Sequence, residues 1–287
     1  MLPPVVGVLF DGFAYGMLLF LLSVGQSVTL GMMNFINLAH CAFAMLGGYI
    51  AVTLVNTYGW PFFAVLPVAF VATGVVSIGF ERLLYRRLYR SSDLDQVLLT
   101  IGITFMSVAV AAYIFTTAQH PLELPSYLRQ SVEVLGLRLA VYRLILIALA
   151  LLITGLLVAA LEYTRFGAQV RAAVDNERMA RGLGIDVDRT FAVTFALGSG
   201  LAGLGGALAV EIVGLDPSFA FTYLVYVLIV VSVGGLASIR GSFAAAAVLG
   251  ISDIAGKYYV PQIGAFLIYL VMISLLMWRP TGLFGRR

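Results

Sequence analysis

The chain has little charge and almost no cysteine. Only 11% of its 287 residues are charged, against about 25% in an ordinary soluble domain. Its single cysteine, Cys41, excludes an internal disulfide and any cysteine-rich zinc or iron–sulfur centre. Its two histidines, His40 and His120, fall in different segments and make no metal-ligand spacing. No lysine follows the glycine run at 198–206 and no strand precedes it, so it is not a phosphate loop. No carboxylate pair, histidine cluster or nucleophile–base spacing supports catalysis. A net charge of +3 without a basic surface on a soluble fold excludes nucleic-acid binding. The opening MLPPVVGVLFDGFAYG has no basic region and runs straight into an apolar segment, so no cleaved signal peptide is expected.

Hydrophobic residues make up 61% of the chain. They fall in repeated stretches close to twenty residues long, the length of a membrane-spanning helix. Barrel strands would alternate over about ten residues, and these runs do not. The expected fold is all-α: one polytopic transmembrane helical bundle over 1–287, with eight or nine membrane helices. Nine stretches qualify: 5–30, 41–55, 62–80, 97–117, 144–161, 191–210, 221–233, 243–258 and 263–278. Those at 221–233 and 243–258 are short, and are either partial crossings or extended by their flanks. Arg82, Arg86, Arg87 and Arg90, the arginines of 165–189, Arg240 and the C-terminal arginines put 13 of 17 basic residues on one side. The positive-inside rule makes that side cytoplasmic. Nine crossings then place the N-terminus outside and the C-terminus and 162–190 inside.

Polar residues within these stretches are candidates for structure or transport. Asp11 is either interfacial or a polar contact. Asn34, Asn37 and His40 lie in NFINLAH, 34–40, and would be costly facing lipid. They either line a translocation path or tie down a broken connection. Gly198, Gly200, Gly203, Gly205 and Gly206 allow close helix approach or line a cavity. Gly203 and Gly206 join the candidate path. Glu211 and Asp253 either pair with a basic residue, hold a helix end or belong to a proton or ion path, and Asp253 with Lys257 can pair at i,i+4.

The long polar interruption is EYTRFGAQVRAAVDNERMARGLGIDVDRT, 162–190. Phe166, Val170, Val174 and Ala180 or Leu183 repeat at helical intervals, with Arg171, Asp175 and Arg178 elsewhere on the wheel. Asp175 with Arg178, and Glu177 with Arg181, can support the helix. Gly182 and Gly184 end it, and Asp186 or Asp188 can cap the next element. Its polar face carries both signs, which favours a protein partner over a lipid surface.

Four stretches in order resemble the smaller permease type of branched-chain amino acid ABC importers. They are GQSVTLGMMNFINLAHCAFAMLGGYIA at 25–51, the loop with Arg165-Phe166-Gly167, Arg171-Ala172, Asn176, Ala180 and Gly184-Ile185, GSGLAGLGGAL at 198–208, and VVSVGGLASIRGSFAAAAVLG at 230–250. The resemblance implies a permease subunit of the bacterial inner membrane that holds neither ATP nor cofactor. It implies two cytoplasmic ATPase subunits, a second, homologous but distinct permease, and a periplasmic substrate-binding protein. The implied cargo is a small polar solute. The 162–190 segment becomes a coupling loop, with Phe166 and Val170 as anchors and Arg171, Asn176 and Arg178 as polar contacts. Leu38, Cys41 and Ala237 depart from the family pattern. The solute therefore stays open among branched-chain amino acids, urea, short amides and aromatic or carboxylate compounds. An ion-coupled secondary transporter is the rival class.

Overall fold

Apolar runs become helices because a backbone removed from water must bond to itself. The computed structural model describes residues 4–33, 35–89, 91–134, 137–236 and 238–285. In chain order the elements are α1 (Pro4–Met33), α2 (His40–Val52, continued by a π turn at Thr53–Thr57), α3 (Phe62–Leu83, then a 3-10 turn at Tyr85–Leu88) and α4 (Asp93–Phe115). A short α5 (Ser126–Arg129) and a hairpin of β1 (Ser131–Val134) and β2 (Leu137–Ala140) lead into α6 (Val141–Tyr163). Then come α7 (Arg165–Asp175), α8 (Glu177–Gly182), α9 (Val187–Val213), α10 (Phe219–Gly234), α11 (Ile239–Tyr259) and α12 (Gly264–Trp278). Seven described helices are long and apolar enough to cross a membrane, and α10 and α12 are shorter.

Local sequence sets the ends. Ser92 caps α4, accepting from the Asp95 amide at 3.3 Å, while the Asp95 carboxylate takes the Ser92 amide at 3.3 Å. Ser238 caps α11 by accepting from the Gly241 amide at 3.0 Å. Gly214 and Gly235 stop α9 and α10 at φ of 76° and 94°, angles that glycine adopts without strain.

The short stretches run the whole depth of the bundle. α10 has 16 residues and α12 has 15, about 24 and 22 Å of helix. α10 starts just after Leu215, whose carbonyl takes the His120 amide at 2.8 Å in the 118–137 loop. It ends where the amides of Leu283 and Phe284 donate to Val233 and Gly234 at 2.8 and 3.2 Å. α12 starts with Gly264 packed on Gly256 of α11 and leads into that same C-terminal contact. The 243–258 stretch is lengthened by its flanks to 21 residues. Among the described residues α10 and α12 thus run between the same two ends as the longer spans, whereas α2 begins partway, at His40 against Leu22. Arg82, Arg86, Arg87, the 165–189 arginines, Arg240 and Arg279 share one end, hereafter the basic end. Asn34, Arg90, Ala237, Arg286 and Arg287 lie outside the described residues.

Strands were not expected, and the hairpin is the exception. It pairs Ser131 with Ala140 and Glu133 with Arg138, in the loop opposite the basic end. Four-residue strands carry too little alternation to stand out in sequence.

The centre of the bundle is α9, with α1, α2 and α3 around it, and α11 packs on α1. Its backbones touch at small residues. Gly25 meets the Gly198 carbonyl, Gly47 meets Gly203, Gly206 meets the Ala44 carbonyl, and Gly16 meets Ala246 and Gly250. Lipid tails are as apolar as leucine, so van der Waals fit at such contacts holds membrane helices together. Gly206→Val would force α2 and α9 apart. We expect a loss of about 1–3 kcal/mol or more, read as a lower melting temperature in detergent. Gly102→Ala, where no atom lies within 4 Å of an added Cβ, should leave it unchanged.

Candidate functional site

The polar segment at the basic end is a built structure. Thr164 starts α7, its Oγ1 accepting from the Gly167 amide at 3.3 Å. Gly167 packs directly on the Leu161 backbone, and the Arg171 guanidinium donates to the Leu161 carbonyl. α7 turns Gly167, Val170 and Ala173 inward. Ala173, Ala180 and Val187 then pack with Ala172, Ile185 and Phe191. The single helix expected from the wheel is broken in two at Asn176, which adopts φ −156° and ψ 94°. Its Oδ1 accepts from the Met179 amide at 2.9 Å and starts α8. Asparagine does this because its side chain competes with the helix for backbone bonds. Gly184 at φ 85° ends the segment, and the Asp186 side chain accepts from the Arg189 amide at 3.0 Å to start α9.

Charge ties this segment to the spans. Arg86, just beyond α3, pairs with Asp188 of α9. Arg181 of α8 reaches the same Asp188 at 2.5 Å and Glu177 at 3.0 Å. Hydrogen bonds to Asp188 and then Glu177 push the Arg181 guanidinium above its ordinary range, so it stays charged. Arg240 of α11 donates to both Glu162 oxygens at 2.9 Å, tying α11 to α6. Glu81 is buried and takes the Tyr89 hydroxyl at 2.8 Å. Burial, then the Glu81 charge, raises the Tyr89 phenol well above its usual range.

The expected contact residues are placed unevenly. Val170 is 0% exposed and Phe166 half-buried, so Val170 anchors the segment to its own chain and offers a partner no surface. Asn176 is spent on a cap, and Arg171 folds back on α6. Arg178 stays exposed. The apolar surface that faces outward is Met179 at 66% and Leu183 at 80% exposure, with Val174 beside them. The helical wheel missed Met179 because the wheel assumed one continuous helix.

The interior candidates meet where α1, α2 and α9 cross. After α1 the chain climbs back along α4 without helix. The Ile36 amide donates to Gln96 Oε1 at 3.0 Å and the Leu38 amide to Thr100 Oγ1 at 3.1 Å. Thr104 Oγ1 donates to the Leu38 carbonyl at 3.2 Å. Asn37 Oδ1 accepts from the Ala39 amide at 3.0 Å. His40 Nε2 donates to the Leu22 carbonyl at 3.0 Å, its ring against Gly25. Asn37 and His40 thus hold a broken connection, the tying-down alternative. Gly203 and Gly206 are buried in helix contacts. None of these four lines the groove between α3 and α4 or the cavity beside Glu211, and Asn34 is outside the described residues. Gln96, Thr100 and Thr104 form one polar stripe at i, i+4 and i+8. That spacing was the available signal for the clamp. Gln26 and Ser199, next to the Gly25–Gly198 contact, are also buried, and their side-chain polar atoms have no partner among the described residues.

The opposite end is polar too. Asp253 is fully buried and takes Lys257 Nζ at 2.5 Å, while its Oδ1 has no hydrogen-bond partner among the described residues. Lys257 is the chain's only lysine, and its Nζ lies 5.7 Å from the centre of the Tyr15 ring. Asp11 pairs with Arg143, joining α1 to α6. A cavity of about 530 Å³ opens there between Gln119, Pro121 and Glu211 at the end of α9.

End-to-end apolar helices, buried ionic groups and a charged, built segment at one end define a polytopic membrane protein of the transport class. The chain belongs to the family described as the branched-chain amino acid transport system permease component, whose sequence model matches residues 8–276. It is 26% identical to the high-affinity branched-chain amino acid transport system permease protein LivH of Escherichia coli K12, over 97% of this chain and 94% of that protein. It is 27% identical to a probable branched-chain amino acid transport permease protein LivH of Methanocaldococcus jannaschii, over 94% and 90%. BraD of Pseudomonas aeruginosa, a high-affinity branched-chain amino acid transport system permease protein, is 26% identical over 97% and 95%. No solved structure matches the chain.

The clamp on residues 36–38 can be tested through the only thiol. Thr100→Val keeps the shape but leaves the Leu38 amide unbonded, at a cost of about 1–3 kcal/mol. Buried Cys41 should then react faster with N-ethylmaleimide, and the melting temperature should fall. An unchanged labelling rate would show that the clamp does not hold this segment.

Proposed function

We propose that this chain is a permease subunit of an ABC importer that carries branched-chain or related amino acids inward across a bacterial inner membrane. Its proposed partners are two ATPase subunits, a second, distinct permease and a periplasmic substrate-binding protein. The basic end, with 162–190 and the C-terminus, faces the cytoplasm by the positive-inside rule. The solute is moved without covalent change, and the partners hydrolyse the ATP. The observation that carries the reading is the α7–α8 segment. It is pinned to α3, α6 and α9 and presents Met179 and Leu183 outward. A partner that moves this knob moves three spans with it. Phe166 and Arg178 flank the contact as secondary positions, and Val170 supports it from inside. The full names of the three relatives supply the solute class.

Reconstitution with the four partners in vesicles tests both halves. Leucine and valine should stimulate ATP hydrolysis and uptake, and urea or aromatic acids should not. Stimulation by urea alone would replace the solute and keep the class. Uptake by the chain without any ATPase would overturn the class. Leu183→Asp with Met179→Asp should cut coupled hydrolysis at least tenfold while membrane insertion stays normal. Full coupling in that variant would put the docking surface elsewhere.

A further inference from the structure

The cavity beside Glu211 lies opposite the basic end, and both of its walls are fixed. One wall is the end of α9, where the Gly214 amide donates to the Val210 carbonyl at 2.9 Å. The facing wall is the 119–122 stretch. Its His120 amide donates to the Leu215 carbonyl at 2.8 Å. Asn56 holds the same stretch from α2, its Nδ2 donating to the Pro121 carbonyl and its Oδ1 accepting from the Glu123 amide, each at 2.9 Å. The Gln119 side chain lies against Gly214, where a Cβ would strike it.

Two polar side chains line this cavity and a third stands near it. Glu211 and Gln119 are exposed to it, and neither side chain makes a hydrogen bond or ion pair among the described residues. Arg129 ends α5. The Val141 amide donates to the Gln130 carbonyl at 3.0 Å, and the Tyr142 hydroxyl donates to the Leu208 carbonyl at 2.7 Å. This seam seats α5 beside α9, one turn before Glu211. Arg129 acts electrostatically on Glu211 but pairs neither with it nor with another acid among the described residues.

The charges decide the ligand. The last carbonyls of α9 have no further turn of helix to bond, and they add partial negative charge to the Glu211 side. A simple cation is drawn to that side and repelled by Arg129, and a simple anion meets the reverse. A molecule that carries both charges close together satisfies both, across a gap that Glu211 and Arg129 do not close themselves. Pro121, Ile212 and Val213 add an apolar wall suited to an aliphatic side chain.

We propose that this cavity is a receiving site for a free aliphatic amino acid, with its ammonium group on Glu211, its carboxylate towards Arg129 and Gln119 as a further hydrogen-bond partner. The assignment rests on the importer reading, which makes an amino acid the cargo and puts this end on the outer side.

Equilibrium binding of radiolabelled leucine to the full chain in lipid nanodiscs tests it. Saturable binding at millimolar leucine or below is expected. Isoamylamine, which lacks the carboxylate, and 4-methylpentanoate, which lacks the ammonium group, should each compete about tenfold more weakly than leucine. Glu211→Gln and Arg129→Gln should each weaken leucine binding about tenfold. The melting temperature should stay unchanged, because neither side chain is bonded within the described chain. No saturable binding by the wild type would overturn the site. So would wild-type affinity in either variant, or competition by either analogue as strong as that of leucine. Leucine import by the assembled complex tests the importer reading separately, so import together with wild-type binding in both variants would overturn this site alone.

Discussion

The amide of Leu38 lies in the non-helical stretch between α1 and α2, within the bundle. In a bilayer it has no water to bond, and an unbonded amide there costs several kcal/mol. The Thr100 hydroxyl meets that demand, Gln96 does the same for the Ile36 amide, and Thr104 donates to the Leu38 carbonyl. Much else depends on this clamp. It lets the chain turn back after α1 and begin α2 at His40, deep against Leu22. It also fixes where α4 stands, because α4 is held through its polar stripe to residues 36–38. One of the two least buried spans is thus positioned by hydrogen bonds, and the space between α4 and α3 is left open.

Away from that clamp, fit between small residues takes over. The Gly25–Gly198, Gly47–Gly203 and Gly206–Ala44 contacts bring three backbones together at one crossing. Their tightness makes α1, α2 and α9 one rigid core. α9 also carries Asp188 at its basic end and Glu211 beside the cavity at the other. A displacement applied at α8 therefore has a stiff member to travel along, and that member runs the depth of the protein.

Much of this was legible in the residues. The nine apolar runs became nine helices, since length and hydropathy alone decide a span. The two short ones stayed ambiguous because the length rule cannot see that their neighbours share the same two ends. The amphipathic face of 165–183 was visible, but a wheel shows only that a face is buried. Val170 meets its own chain, and nothing in its spacing distinguishes that from meeting a partner. The break at Asn176 was hidden because the apolar repeat on either side of it reads as one continuous helix, although asparagine itself favours caps. The clamp leaves only half a mark in the sequence: Gln96, Thr100 and Thr104 are polar residues at one-turn spacing in an apolar run, yet their partners on residues 36–38 are backbone groups.

Magnitudes settle what makes the α7–α8 segment stiff. Its ion pairs are exposed, Arg86 at 53% and Arg181 at 44% of side-chain surface, and such solvated pairs add little to stability. Salt screens them further. A fully buried valine contributes about 1.5–3 kcal/mol, and Val170 and Val187 are both at 0% exposure. The apolar contacts therefore hold the segment in place, while Arg86, Asp188, Arg181 and Glu177 set its direction. This division suits a mechanical part. Strength lies where solvent and salt do not reach, and the charged groups orient Met179 and Leu183 outward without having to bear the force themselves.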